Sequence, residues 1–83
     1  MLAIIFGGSS GIGKAIAKKF IMAEYEVFIC SRKPYNTANE LRVRGIPIDI
    51  TKEEEIKALS MRVDSIDVLV NSVGDLIPKS LKE

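Results

Sequence analysis

Seven residues, Gly7-Gly8-Ser9-Ser10-Gly11-Ile12-Gly13, constrain the fold more than any others in the chain. They lie between an apolar run, Leu2 to Phe6, and an amphipathic stretch that starts at Ile12. A strand, a glycine-rich turn and a helix in that order form a cradle for phosphate. Glycine lets the backbone turn sharply and approach an anion closely. The first helical turn then offers unpaired N–H groups and the positive end of the helix dipole. The loop implies a nucleotide. It specifies neither which nucleotide nor any chemistry done on it.

The chain has 83 residues, enough for one small domain over 1–83. Its formal net charge of +1 gives no basis for bulk attraction to nucleic acid or an acidic membrane. No apolar stretch approaches the length of a membrane span. Met1 to Phe6 runs straight into the glycine loop, without the pattern of a signal peptide. Cys30 is the lone cysteine and there is no histidine. A reducing, cytoplasmic setting is therefore expected, and no metal site. Cys30 closes the apolar run Val27-Phe28-Ile29 and reads as a packed strand cysteine rather than a reactive one.

The rest of the chain alternates in type. Leu2 to Phe6 reads as a strand covered on both faces. Ile12, Ile16, Phe20 and Ala23 fall at helical spacing, with Lys14, Lys18 and Lys19 off that face. Glu26 to Cys30 reads as a second buried strand. Pro34 and Asn36 break the polar segment after it, and a short helix fits near Ala38 to Val43, with Gly45 as its terminator. Ile46 to Ile50 reads as a third strand, where Pro47 is tolerable near the start or at a sheet edge. Thr51-Lys52-Glu53-Glu54 has the form of a capping box, and the helix it opens turns Ile56, Leu59 and Val63 inward. Ile66 to Val70 reads as a fourth strand, and Asn71 to Glu83 as loop. Asp64 and Asp67 are expected to face solvent.

The order β-α-β-α-β-α-β, with right-handed crossovers, predicts an α/β fold: a parallel sheet in strand order 3-2-1-4 with helices on both faces. In such sheets a nucleotide binds where the strand order reverses, between the first and fourth strands.

Two nucleotide readings compete for the loop. Gly8 to Lys14 fits the first seven positions of a P-loop, but Ala15 stands where Ser or Thr must hold magnesium. The other reading is a dinucleotide site with glycines spaced Gly-x-x-x-Gly-x-Gly at Gly7, Gly11 and Gly13. With that spacing the chain resembles the short-chain dehydrogenase/reductase family, whose fingerprint is Thr-Gly-x-x-x-Gly-x-Gly. Asp49 in Ile48-Asp49-Ile50-Thr51 is similar to the family's Asp-Val-Thr, which implies a hydrogen bond from this carboxylate to adenine. Asn71-Ser72-Val73-Gly74 is similar to the Asn-Asn-Ala-Gly element that lines the cofactor and steadies the sheet. The resemblance implies a half-size Rossmann-type domain and a cofactor site built from Gly7, Ser9, Ser10, Gly11, Ile12, Gly13, Ser31, Arg32, Asp49, Ile50, Asn71, Ser72 and Gly74.

It also implies a cofactor preference. The tip of the second strand meets the adenosine ribose, where an acid binds the 2′-hydroxyl of NAD and a basic side chain pairs with the 2′-phosphate of NADP. Here the tip is Ser31-Arg32-Lys33, so NADP(H) is expected over NAD(H).

Departures from the family pattern are specific. Phe6 replaces the Thr, Ser72-Val73 replaces Asn-Ala, and Glu24 replaces a Gly before the second strand, implying a helix end that avoids the left-handed conformation or tolerates its strain. The family's catalytic Ser and Tyr-x-x-x-Lys lie downstream of the fourth strand. Tyr25 and Tyr35 are followed four residues on by Ile29 and Asn39, so no catalytic residue is carried over. The expectation is a cofactor-binding half that ends before the catalytic segment, with an exposed fourth strand that favours homo-oligomers. The function implied is NADP(H) binding for hydride transfer to or from a carbonyl/alcohol pair. The alternative is a non-enzymatic module that binds a nucleotide or self-associates.

Overall fold

The computed structural model describes residues 1–7 and 11–72. Four parallel strands, β1 (Leu2–Phe6), β2 (Glu26–Ser31), β3 (Arg44–Pro47) and β4 (Val68–Asn71), form one sheet in the order β3-β2-β1-β4. Three helices, α1 (Gly11–Met22), α2 (Tyr35–Leu41) and α3 (Glu53–Met61), connect them. This is the expected half-Rossmann α/β arrangement.

The two-residue period of the strands divides the core. Leu2, Ile4 and Phe6 of β1, with Phe28, Cys30 and Ile46, face Ile56 and Leu59 of α3. Ala3 and Ile5, with Val27 and Ile29, face Ala17 of α1 and Ala38 of α2. Helices therefore cover both faces, and every residue of β1 is buried. Each fully buried Ile or Phe contributes about 1.5–3 kcal/mol of transfer free energy.

Several local expectations are corrected. On α1 the buried positions are Gly13 and Ala17, while Ile12 is 71% exposed and Ala23 lies past the helix end. The small residues face the sheet because the helix lies close to it, and Ile16, Phe20 and Ile21 pack along its flanks. The second helix begins at Tyr35 rather than near Ala38. Pro34, with φ −85°, starts it instead of breaking it.

Gly45 does not end α2. Arg42 does, in the left-handed region at φ 60°, with its N–H on the Asn39 carbonyl and the Val43 N–H on the Ala38 carbonyl. This is a Schellman closure. Helix α1 ends the same way at Glu24 (φ 66°), with Glu24 N–H on Ile21 and Tyr25 N–H on Phe20. Glu24 thus tolerates the strain rather than avoiding it.

The third strand runs Arg44–Pro47 instead of Ile46 to Ile50, in register with Phe28 to Ser31 on the sheet edge. Gly45 sits in it beneath α2, where a Cβ would stand 2.9 Å from the Ala38 Cβ. The fourth strand ends at Asn71, one residue later than expected, because Asn71 pairs opposite Phe6.

The capping box is not formed. Lys52 is the N-cap residue without a side-chain cap bond, and the Thr51 hydroxyl donates instead to Asp49 Oδ1 at 2.6 Å. Nor does the Asp67 carboxylate only face solvent. Its Oδ2 accepts the Leu2 N–H at 2.7 Å while the Asp67 N–H donates to the Leu2 carbonyl, tying the starts of β1 and β4.

Candidate functional site

In a parallel sheet the carboxyl ends of all strands point the same way, and the described residues of the expected site lie at or just beyond them or open α1. Gly7 follows β1, Ser31 ends β2 and Arg32 follows it, Asp49 and Ile50 follow β3, and Asn71 ends β4 with Ser72 after it. Gly11, Ile12 and Gly13 open α1. Ser9, Ser10 and Gly74 lie outside the described residues. The strand order reverses at β1, between β2 and β4, so these loops surround the crevice where α/β sheets take ligands. A cleft of about 740 Å³ at the opposite, amino-terminal end of the strands, lined by Ile21, Tyr25, Leu41, Arg42, Val43 and Arg44, is separate from it.

The three glycines differ in situation. Gly7 is buried with φ 77°, and its N–H donates to the Cys30 carbonyl at 2.9 Å, fixing where the loop leaves β1. Gly11 is exposed, and among the described residues beyond its own neighbours and helix a Cβ there would meet no atom within 4 Å. Gly13 is buried where α1 passes over the sheet. Ser72 braces the loop from the other side. Its N–H and hydroxyl both donate to the Phe6 carbonyl, at 3.0 and 2.7 Å, and the hydroxyl lies 2.9 Å from the Gly7 carbonyl. A hydroxyl thus supports the loop even though Phe6 brings none and is itself buried against the α3 side.

At the tip of β2 the Ser31 carbonyl accepts the Ile48 N–H at 2.8 Å, while the buried Ser31 hydroxyl oxygen has no hydrogen-bond partner among the described residues. Arg32, next to it, is exposed. Hydrogen bonds from the Thr51 hydroxyl and N–H hold the Asp49 carboxyl below its ordinary range, and the charges of Arg32 and Lys52 add to that. Arg32 and Asp49, on neighbouring loops, therefore share one electrostatic environment. Ile50 turns its side chain into the α3-side core, which leaves its backbone as the part that can meet a ligand.

The sequence pattern points Thr51 to a helix cap and gives Glu55 no role. The structure directs both onto Asp49: Thr51 onto the carboxylate, and Glu55 onto the N–H at 3.1 Å. The signal was a carboxylate six positions after Asp49 in the first turn of a helix, a spacing that only the intervening turn brings into contact.

Lys14 is engaged away from the loop, in an ion pair with Glu40 that links α1 to α2. Cys30 is buried, and burial pushes its thiol up to about 12, so it is a packing residue and not a nucleophile. Among the described residues no group of three or more His, Cys, Asp or Glu side chains is arranged to hold a metal ion, and no helix is long and apolar enough to cross a membrane.

This arrangement has close counterparts. The family model described as short chain dehydrogenase matches residues 1–83. Carbonyl reductase family member 4 of Xenopus laevis is 37% identical over 78 residues, which are 84% of this chain and 33% of that protein. The RhlG/NADP active-site complex of Pseudomonas aeruginosa is 34% identical with a TM-score of 0.77, over 89% of this chain and 34% of that one. An actinorhodin polyketide ketoreductase crystallised with NADPH is 31% identical with a TM-score of 0.75, over 89% of this chain and 33% of its own. The chain spans 30% to 40% of the length of the curated relatives it matches. A 3-2-1-4 parallel sheet, a Gly-x-x-x-Gly-x-Gly turn at its switch point and a match over the whole chain have one common reading: this chain belongs to the short-chain dehydrogenase family.

Proposed function

We propose that this chain is the NADP(H)-binding part of an oxidoreductase that moves hydride between the cofactor and a carbonyl/alcohol pair. When bound, the nicotinamide supplies the hydride chemistry, and the protein supplies position and electrostatics. Gly7 to Gly13 would cradle the pyrophosphate. Open space around Gly11 among the described residues suits that role, since none of them packs where its Cβ would stand. Asn71, Ser72 and Gly74 would line the cofactor from the β4 side, and Asp49 would accept from adenine. The printed names of the relatives point the same way: a carbonyl reductase, an NADP complex and a ketoreductase with NADPH.

One observation carries the choice of NADP over NAD. Among the described residues the buried hydroxyl oxygen of Ser31 at the tip of β2 has no hydrogen-bond partner, Arg32 follows it, and no carboxylate stands in the Ser31-Arg32-Lys33 tip. An orphaned buried hydroxyl costs about 1–3 kcal/mol, and a phosphate oxygen beside it would recover that cost. A guanidinium also suits a phosphate dianion better than a neutral ribose hydroxyl.

The test is equilibrium titration with NADPH and NADH. Arg32→Ala is expected to weaken NADPH about ten- to a hundredfold, the weight of a charge-assisted contact, and NADH little. Equal losses for both cofactors would sink the assignment. The same reading includes a reducing, cytoplasmic setting, from the lone buried Cys30, and self-association along the outer edge of β4, which pairs only with β1 among the described residues. Sedimentation of the chain as a monomer at high micromolar concentration would overturn the self-association.

A further inference from the structure

The turn that carries Asp49 is closed on itself. The Lys52 N–H donates to the Asp49 carbonyl at 3.0 Å, and the Thr51 N–H and hydroxyl donate to Asp49 Oδ1 at 3.0 and 2.6 Å. From the first turn of α3, Glu55 then reaches back past the N-cap. Its Oε1 accepts the Asp49 N–H at 3.1 Å, and its Oε2 lies 3.9 Å from Lys52 Nζ. The Glu55 N–H itself donates to the Lys52 carbonyl at 3.1 Å. One side chain thus bonds the start of the turn and pairs with the lysine at its end, and the turn stands just beyond the carboxyl end of β3.

The placement has a consequence for Asp49. Both donors from Thr51 converge on Oδ1, and no described donor is recorded on Oδ2. A carboxylate held by its backbone, with one oxygen occupied and the other presented, is preorganised to accept a single N–H from a ligand.

We propose that Glu55 is a positioning residue: its carboxylate holds the Asp49 turn so that Asp49 presents Oδ2 to an amino N–H of the adenine half of the bound cofactor. This rests on the cofactor reading above. It adds a residue whose role is set by a hydrogen bond this chain makes six positions downstream of Asp49.

The test combines Glu55→Ala, Glu55→Gln and Asp49→Asn in the full chain, with two readouts. The first needs no cofactor. Amide hydrogen exchange at Asp49 is expected to speed up about tenfold in Glu55→Ala and to stay near the wild-type rate in Glu55→Gln, whose side-chain oxygen still accepts the N–H. The second is binding of NADPH and of adenosine 2′,5′-bisphosphate, which lacks the nicotinamide half. Glu55→Ala should weaken both about five- to tenfold, and Glu55→Gln should restore most of the loss. In an Asp49→Asn background, Glu55→Ala should cost little further, because the two residues act through one contact.

A loss confined to NADPH, full additivity with Asp49→Asn, failure of Glu55→Gln to rescue, or unchanged exchange at Asp49 each overturns the proposal. Wild-type chain that binds neither ligand overturns the cofactor reading and the adenine role with it. The exchange readout still decides the Glu55–Asp49 bond separately.

Discussion

The Ser72 hydroxyl lies 2.7 Å from the Phe6 carbonyl and 2.9 Å from that of Gly7, so one proton from the end of β4 serves the last residue of β1 and the first of the glycine loop. The Ser72 N–H, also on Phe6, would survive truncation of the side chain. Ser72→Ala therefore removes only the hydroxyl contact, at a cost of about 1 kcal/mol. Chemical denaturation checks this. Hydrogen exchange should quicken at Gly7 while protection in the centre of β1 is kept, because the brace acts at the strand end and not in its middle.

Both Schellman closures place a residue with a Cβ in the left-handed region, Glu24 at φ 66° and Arg42 at φ 60°. The side chain there crowds its own carbonyl, at about 1 kcal/mol for a non-glycine residue. Both side chains are exposed. Glu24→Gly and Arg42→Gly are each expected to raise stability by about 0.5–1 kcal/mol, less than the full strain because glycine loses more backbone entropy on folding. The sites are distant enough that the double variant should be nearly additive in thermal unfolding. A loss of stability in either single variant would show that the left-handed residue is held by side-chain contacts instead.

Strand order and the alternation of strands and helices were legible because they rest on strong signals: continuous apolar runs at Leu2 to Phe6 and Val27 to Cys30, and a glycine turn between strand and helix. The errors occurred where a single residue's usual habit was set against packing. Gly45 looks like a helix stop because glycine commonly is one, yet it is needed in β3 for the close approach of α2. Ile12 looks like a core residue, yet the positions of α1 that are buried are Gly13 and Ala17. Asp49, Arg32 and Ser72 are candidate site residues by motif position. The bond from Asp49 to Glu55 carries no such signal, since it is set by the shape of the turn between them and not by any periodicity.

A methyl group at Gly45 would stand 2.9 Å from the Ala38 Cβ and 3.3 Å from the Pro34 Cβ. Helix α2 would have to move off the sheet, and overpacking of this kind costs about 1–3 kcal/mol. Gly45→Ala is expected to lower the unfolding temperature by about 5–15 °C in a domain of this size. Ala38→Gly removes the closest of the clashing atoms, so the double variant should be more stable than the sum of the single losses. Strict additivity would mean that the clash is relieved some other way.

Acid should act on this fold through carboxylates that are better satisfied when folded. The hydrogen bond and charge of Lys14, with Lys18 adding to it, hold the Glu40 carboxyl below its ordinary 4.5. The Thr51 hydrogen bonds and the charges of Arg32 and Lys52 hold Asp49 below its ordinary 3.8. Both folded values lie below the unfolded ones. Each group therefore contributes stability that is fully present above its unfolded value and is lost as pH falls through the folded value. The window for Glu40 opens at about pH 4.5 and extends downward, so the pair's contribution is fully present near neutrality and does not vary with pH there. Glu40→Gln is expected to lower the unfolding temperature slightly at pH 7, and the difference from the parent chain should shrink progressively as pH falls below about 4.5. Added salt should shrink the difference at pH 7, because both partners are partly exposed and screened. A deficit that does not shrink at any pH below about 4.5 down to acid unfolding would show that Glu40 acts through packing, not through its charge.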